Sequence, residues 1–429
     1  MAHHIYPQAL AFFEETTPCV APADWSAETA IEFISIDLSG VKEALVADPT
    51  AERRAFKVGT RHMVKGIRNC TASIVLKLHG IGEETADGDQ VENTYLARIL
   101  KHCLGGLHRG SSTTITGGTA TIPEVDDATG IIPGCLLAFE DTTSPSARNA
   151  GIAHPRRVLS VSGSAVTLSE AIPFTPAAGD VVHAVATGYL DHDHLVDAVA
   201  AGGLCQWYVK RENSNSGTDL LWTLEGSVAS LKLDGLGRGA LPTLNLDIQA
   251  ANFRHGAEDG LTNVALAAPE GHAQLAMGLN VILSIQEYGT STVNEVDANN
   301  VTFDVGMTRK PTPTTTERLH RFEGLSSYHY DPGQSKFTCT LVGYTDDFYA
   351  GLADNKDYRI SFYQPGDGSG AGKGWVLHCG RARLMATPAR TDVEQVHGVT
   401  LEFMLAEPED CSGGSNADLE QSRFLLGLF

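Results

Sequence analysis

The sequence predicts a mainly β protein: two tandem β-sandwich or barrel repeats, each with a short helix, plus an inserted small all-β module. Three observations predict it. First, the second half repeats the first: a shift of 153 positions carries Asp193 onto Asp346, Ala200 onto Ala353, Trp222 onto Trp375, Leu224 onto Leu377 and Leu231 onto Leu384, without a gap. Such internal periodicity outranks local motifs in setting architecture. Second, apolar residues alternate at period two in many short runs, the mark of half-buried strands. Third, glycine is abundant (44 residues) and Thr, Val and Ala recur, which favours strands and turns over long helices.

The elements follow in chain order. Residues 1–80 open with an extended arm carrying Pro7, Pro18 and Pro22, then alternating strands over 31–38, 56–64 and 71–78. Residues 81–190 form the insertion. Tyr95, Leu96, Ile99, Leu100, Cys103 and Leu104 share a helix face that Gly105–Gly106 ends. Strand-like runs over 113–122, 134–139, 157–161, 165–168 and 181–186, separated by Gly/Ser/Thr-rich turns, then suggest a small barrel or sandwich.

Residues 191–265 return to the first repeat. A short helix with the stripe Leu195, Val196 and Val199 precedes a strand through Trp207 and Val209. Strands through Trp222 and Leu224, then Leu244, Leu246 and Ile248, complete the unit. Residues 266–410 supply the second copy, with Phe348, Tyr349 and Leu352 in the helix and Leu401, Phe403 and Leu405 in the last strand. Trp222, Leu224, Leu231, Trp375, Leu377 and Leu384 are therefore the expected repeat core.

Upstream, Asn69–Cys70–Thr71 pairs with Thr338–Cys339–Thr340 at a shift of 269, which puts about 116 extra residues in the first copy. Ile34–Ser35–Ile36 resembles Leu283–Ser284–Ile285. A Thr/Pro/Asn-rich loop is expected over 288–317, with Tyr288, Val293, Val296, Val301 and Phe303 as contact residues; its first-copy counterpart, over 41–52, is shorter. Residues 411–429 read as a tail whose apolar tip, with Phe424, Leu425, Leu426 and Phe429, either stays free or docks on a neighbouring surface.

Composition narrows the function classes. With 31 basic against 52 acidic residues the net charge is −21, opposed to phosphate-neutralising nucleic-acid binding. Acidity keeps a protein soluble, and it also suits a conduit through which DNA slides without sticking. No run approaches the ~20 apolar residues of a membrane helix, and the first residues lack a basic signal region, so cytosolic synthesis is expected. The eight cysteines form no C-x-x-C pair, which excludes a structural zinc pattern.

Catalytic signals are sparse. Asp191-His192-Asp193-His194 is the most suggestive cluster, with Asp191 and His194 as candidate metal ligands. A helix start with Asp193 as N-cap explains it better, since Asp346 occupies the matching place without a histidine. Gly235-Leu-Gly237-Arg-Gly239 joins two strands, so a hairpin turn accounts for it better than a phosphate loop. No nucleophile elbow is present. The expectation is a non-enzymatic protein without cofactor.

The order of strand, hairpin or long loop, strand, short helix and three further strands resembles the β-sandwich of phage major tail tube proteins. These are similar to the inner-tube proteins of contractile injection systems. Duplication points to the group whose members carry two copies and form trimeric, pseudohexameric rings. The resemblance covers residues 25–80 and 191–410 and rests on architecture, duplication and turn chemistry. It implies a virion component assembled in the host cytoplasm, polymerising as stacked rings around an acidic lumen that passes double-stranded DNA without specific binding. Self, tape measure, terminator and distal tail proteins are the implied partners, with no membrane. The 288–317 loop and the N-terminal arm would touch adjacent rings, and the module over 110–190 would decorate the outside. A tail terminator or tip component of the same fold, or a carbohydrate-binding adhesive β-sandwich, are the alternative readings; aromatic content of 7% is low for the latter.

Overall fold

The computed structural model describes residues 8–15, 25, 30–47, 63–80, 94–145, 151–196, 203–211, 219–237, 240–256, 261, 263–266, 281–311, 328–331, 333–342, 347–365, 374–393 and 396–429. The first part of the chain contributes β1 (Gln8–Glu14), β2 (Phe33–Asp37), β3 (Val41–Ala47), β4 (Met63–Lys77), α1 (Tyr95–Leu104) and β5 (Gly105–Arg109). A compact insert follows with β6 (Thr113–Gly118), β7 (Pro123–Val125), β8 (Leu136–Glu140), β9 (Ala153–Ser162), β10 (Ala165–Leu168) and β11 (Val181–Ala184). The chain returns through β12 (Ala186–Leu190), α2 (His192–Val196), β13 (Cys205–Arg211), β14 (Leu220–Asp234) and β15 (Thr243–His255).

The second half contains β16 (Ile282–Glu287), β17 (Glu295–Val296), β18 (Ala298–Asp304), β19 (Thr308–Pro311), β20 (Tyr328–Asp331), β21 (Lys336–Val342) and α3 (Asp347–Ala353). It continues with β22 (Asp357–Gln364), β23 (Trp375–Leu384), β24 (Ala389–Val393), β25 (Val396–Ala406), α4 (Ala417–Gln421) and β26 (Phe424–Leu428). The fold is mainly β, built of large antiparallel sheets and a small barrel.

Both halves trace one pairing path. In the first, hydrogen-bonded neighbours run β1, β13, β14, β15, β4, β2. In the second they run β16, β22, β23, β25, β21, β18. Side-chain period fixes parity along each strand. Trp207, Val209, Leu224 and Leu231 thereby point to the same core as Ile360, Phe362, Leu377 and Leu384, and all are buried. Of the expected repeat core, Leu224, Leu231, Trp375, Leu377 and Leu384 are buried. Trp222 is half-buried, packing against His255 and under the Arg211 guanidinium.

The ladders correct the upstream correspondences. Leu246 pairs with Ile74 as Phe403 pairs with Phe337, so Ile74 matches Phe337 and Leu76 matches Cys339. That is a shift of 263, not 269, and the Asn-Cys-Thr likeness is six positions out of register. Likewise β2 lies beside β4 as β18 lies beside β21, so Ser35–Ile36 corresponds to Thr302–Phe303 rather than Ser284–Ile285. The strand holding Leu283–Ser284–Ile285 matches β1 instead, because both flank the strand after the helix. The described part of the expected N-terminal arm is thus an edge strand; Pro7, Pro18 and Pro22 lie outside the described residues.

The loop expected over 288–317 is also not a loop as a whole. Val301 and Phe303 sit on β18 with 2% and 1% exposure, inside the core, because their alternation with Thr302 and Asp304 makes a half-buried strand. Residues 312–317 lie outside the described residues. In the first copy the residues over 41–47 form β3, paired with the outer half of β4. This hairpin corresponds to the β19–β20 hairpin of the second half.

The C-terminal tip is neither free nor docked on another molecule. β26 lies between β12 and β23, and Phe424, Leu425, Leu426 and Phe429 are no more than 2% exposed. The reason is visible in the register. Trp222 and Leu224 pair with His255 and Phe253 of β15, whereas Trp375 and Leu377 pair with Leu428 and Leu426. β25 ends at Ala406, and β26 returns to fill the position that the far half of β15 holds in the first copy.

Helix α1 belongs to the main core rather than to the insertion. Leu96, Ile99, Leu100, Cys103 and Leu104 are buried in one cluster with both halves. Thr94 Oγ1 caps its start by accepting from Ala97 N at 3.4 Å, and Gly105 at φ 90° ends it. A Cβ at Gly105 would stand 2.7 Å from Asp191 O, so only glycine fits this turn.

The insertion proper is the closed barrel β10-β7-β6-β11-β8-β9. Its apolar residues, among them Phe139, Val158 and Val182, share a cluster with Tyr363, Val376, Leu425 and Phe429. A module inserted in the first half therefore covers the back of the second half's sheet. The equivalent back face of the first half is covered by Trp25, which stacks on Tyr208 at 5.3 Å, together with Leu261. No helix among the described residues is long and apolar enough to cross a membrane.

Candidate functional site

Asp191 and His194 lie at the start of α2. Asp191 Oδ1 accepts from His194 N at 2.9 Å, so Asp191, not Asp193, caps α2. Burial lowers the His194 pKa. No group of three His, Cys, Asp or Glu side chains among the described residues could hold a metal ion. Asp346 lies outside the described residues.

Two buried constellations escaped the sequence reading because their members are far apart along the chain. Ser361 Oγ donates to Glu170 Oε1 at 2.7 Å and lies 2.9 Å from His378 Nδ1. With its proton on Glu170, the serine accepts from the imidazole rather than giving a proton to it. Burial, then the Arg157, Arg359 and Arg156 guanidiniums, hold His378 well below its usual pKa. All three side chains are at most 1% exposed. The second pair is Cys205 Sγ and His102 Nε2, 3.1 Å apart and buried. Burial raises the thiol and lowers the imidazole, so both are neutral and the thiolate a nucleophile needs is disfavoured.

The arginines near Ser361 fasten the barrel to the second half. Arg359 Nη1 donates to Ser169 O at 2.6 Å, and its other amino group binds Asp410. Arg156 lies over the Tyr363 ring at 5.9 Å, and His154 Nδ1 meets Tyr363 Oη at 3.0 Å. The adjacent pair Arg156–Arg157 within the strand Ala153–Ser162 was the one sequence signal for this joint, since charges are buried only when paired.

Of the candidate contact residues, Val301 and Phe303 are buried, and Tyr288, Val293 and Val296 are half-buried. The Tyr288 ring lies 5.4 Å from the Arg359 and Arg381 guanidiniums, and its hydroxyl accepts from Glu409 N at 2.8 Å. Val296 packs on the core edge, and Val293 is half-buried in the turn between β16 and β17.

What the fold does bring together is a joint between its halves and a broad polar face. At the joint, Lys232 and Leu233 of β14 pair with Asp304 and Phe303 of β18, so the first half's sheet continues into the second's. The β19–β20 hairpin lies across β14, β15 and α2. Its Arg309 is fully buried, donating through the backbone to Ser230 Oγ at 3.3 Å and through Nη1 to His102 O at 2.9 Å.

The polar face is the outer side of the β14-β15-β4-β2 and β23-β25-β21-β18 sheets. Asp247, Asp304 and Glu402 stand on it, as do Lys232, Lys336 and Arg383, all exposed and alternating with core residues. Acids and bases are interspersed there, and the −21 excess does not concentrate on the described residues of this face.

Comparison of the sequence with protein-family models and with curated proteins gives no match.

Proposed function

We propose that this chain is a structural subunit of a bacteriophage tail, polymerising as stacked trimeric, pseudohexameric rings into a tube that conducts DNA. The observation that carries the reading is the joint. Two units with one strand path are hydrogen-bonded edge to edge within one chain, as neighbouring positions of a ring would be. A ring built this way leaves no sheet edge open around its circumference, which removes the aggregation hazard of unpaired strands.

The polar face would line the lumen. Its interspersed charges and hydroxyls offer DNA a hydrated wall of low affinity, since tight phosphate binding requires clustered Lys and Arg. The face proposed here to line the lumen mixes bases with acids, where the resemblance implied an acidic lumen. The barrel, seated on the back of the second half, would stand outside the tube. Non-enzymatic action fits the burial of the Ser361 and Cys205 constellations, which lowers the His378 and His102 pKa values and raises that of Cys205.

Negative-stain electron microscopy with mass from light scattering tests the reading. Stacked rings of trimers are expected. A single ring that never stacks would favour a terminator or tip component, and a monomer at every concentration would overturn the proposal.

A further inference from the structure

The joint between the halves has two counterparts on the same chain that, among the described residues, pair with no further strand. β18 has neighbours on both sides, β21 and β14. Its equivalent β2 pairs, among the described residues, with β4 alone. The exposure differs accordingly. Val301 and Phe303 are 2% and 1% exposed, while Phe33 and Ile36, at the matching register positions, are half-buried, and Ile34 is 50% exposed. Paired side chains on a ladder shield one another, so an edge of this composition is under-covered.

The acceptor has a counterpart too. Leu231 faces Leu246 as Leu384 faces Phe403, and Lys232 stands opposite Asn245 as Met385 N reaches Glu402 O. Met385 and Ala386 therefore occupy the positions of Lys232 and Leu233. Leu233 is fully buried at the joint; Ala386 is exposed and Met385 is 43% exposed. The β3–β4 hairpin is likewise the counterpart of β19–β20, which lies across β14, β15 and α2.

We infer that a second copy of this chain completes both surfaces. The β2 edge of one copy pairs with the end of β23 of the next, Asp37 opposite Met385 and Ile36 opposite Ala386. The β3–β4 hairpin crosses the neighbour's β23, β25 and α3. The contact is heterologous, one edge meeting a different edge, so it propagates around a ring rather than stopping at a two-fold dimer. The inference builds on the ring reading above and names the strands that would join one chain to the next.

Engineered disulfides test it. Directly opposed residues of an antiparallel pair have Cβ atoms about 4.5–5.5 Å apart, near disulfide reach. Asp37→Cys and Met385→Cys are made singly and together, all at exposed positions. Lys232→Cys with Asp304→Cys serves as the in-chain control, and the parent chain reports background from its own thiols. Under mild oxidation the Asp37→Cys/Met385→Cys variant should run on a non-reducing gel as covalent oligomers up to the ring's mass. The two single variants, mixed, should stop at dimers, and neither should link alone.

Efficient linking of Asp37→Cys to itself would overturn the inference in favour of a two-fold contact. A multimer by light scattering that forms no Asp37–Met385 link, while the control closes, would overturn this joint and leave the ring reading standing. A monomer without any link would remove both.

Discussion

Removing residues 424–429 should unfold the second half rather than merely loosen contacts between chains. β26 donates to and accepts from both β12 and β23, and its loss would open two edges inside the core. Phe424, Leu425, Leu426, Leu428 and Phe429 are each buried to 2% exposure or less. At ~1.5–3 kcal/mol for each fully buried apolar side chain, the strand contributes about 8–15 kcal/mol. That matches the whole stability of a typical domain, roughly 5–15 kcal/mol. A milder variant gives a graded readout: Leu426→Ala should cost about 2–5 kcal/mol. Trp375 opposes Leu428 in the ladder and its Nε1 donates to Gln364 Oε1 at 3.0 Å, so of the chain's four tryptophans it is the one whose fluorescence during urea denaturation reports on this strand. The truncated chain should be insoluble or lack a cooperative transition, and Leu426→Ala should show a lowered midpoint. A truncated chain with the parent's midpoint, defective only in assembly, would refute the reasoning and return the strand to the role of an external tail.

Three further outcomes are expected. Burial holds His378 and His102 well below the usual histidine pKa, so the unfolded state binds more protons than the folded one below about pH 6.5. Stability should be full above that pH and fall as pH drops through it, by about 1.4 kcal/mol per pH unit per histidine; denaturation midpoints at pH 7.5 and 5.5 check the sign, and a flat profile contradicts it. Replacing Arg359, which is 1% exposed, by leucine strands the Asp410 carboxylate; Arg157 remains 3.8 Å away, so the loss should sit near the lower end of ~3–5 kcal/mol, read as a lowered melting temperature. At Gly427→Ala the new methyl would meet Val376 Cγ1 at 2.7 Å and Val185 Cγ1 at 2.6 Å, costing about 1–3 kcal/mol and loosening the barrel from the sheet, which limited proteolysis between the two would detect.

The β-rich class, the barrel and the shift of 153 between β14 and β23 were legible because they are local; across β13 and β22 the ladders set the shift at 155, since Trp207 faces Leu224 as Phe362 faces Leu377. Trp222 and Leu231 lie on one strand that carries no insertion relative to its counterpart, so parity and spacing survive together, whereas the connection from β13 to β14 is two residues longer than that from β22 to β23. The mismatch at Ile34–Ser35–Ile36 shows the limit. Alternation specifies which face a residue takes but not which strand lies beside it, and β1, β2, β16 and β18 all satisfy the same pattern. The C-terminal strand was illegible for a different reason. A polar, glycine-containing detour over 407–423 separates it from β25, and only the non-local ladder to β12 and β23 reveals its place. Val301 and Phe303 were hidden by the Thr and Asn residues around them, whose side chains face solvent across an ordinary half-buried strand. The Glu170–Ser361–His378 group draws on the barrel and on two strands of the second half, which no spacing rule unites.

Placing the barrel in one half and its seat on the other has a cost for any later change to the chain. Tyr363, Val376, Leu425 and Phe429 form a back surface that water would meet directly if the module were excised. The first half, covered by Trp25 and Leu261, offers no matching seat among its described residues. The two back faces are consequently not equivalent. The barrel thus covers apolar surface of the second half, and the two halves differ in what covers their backs.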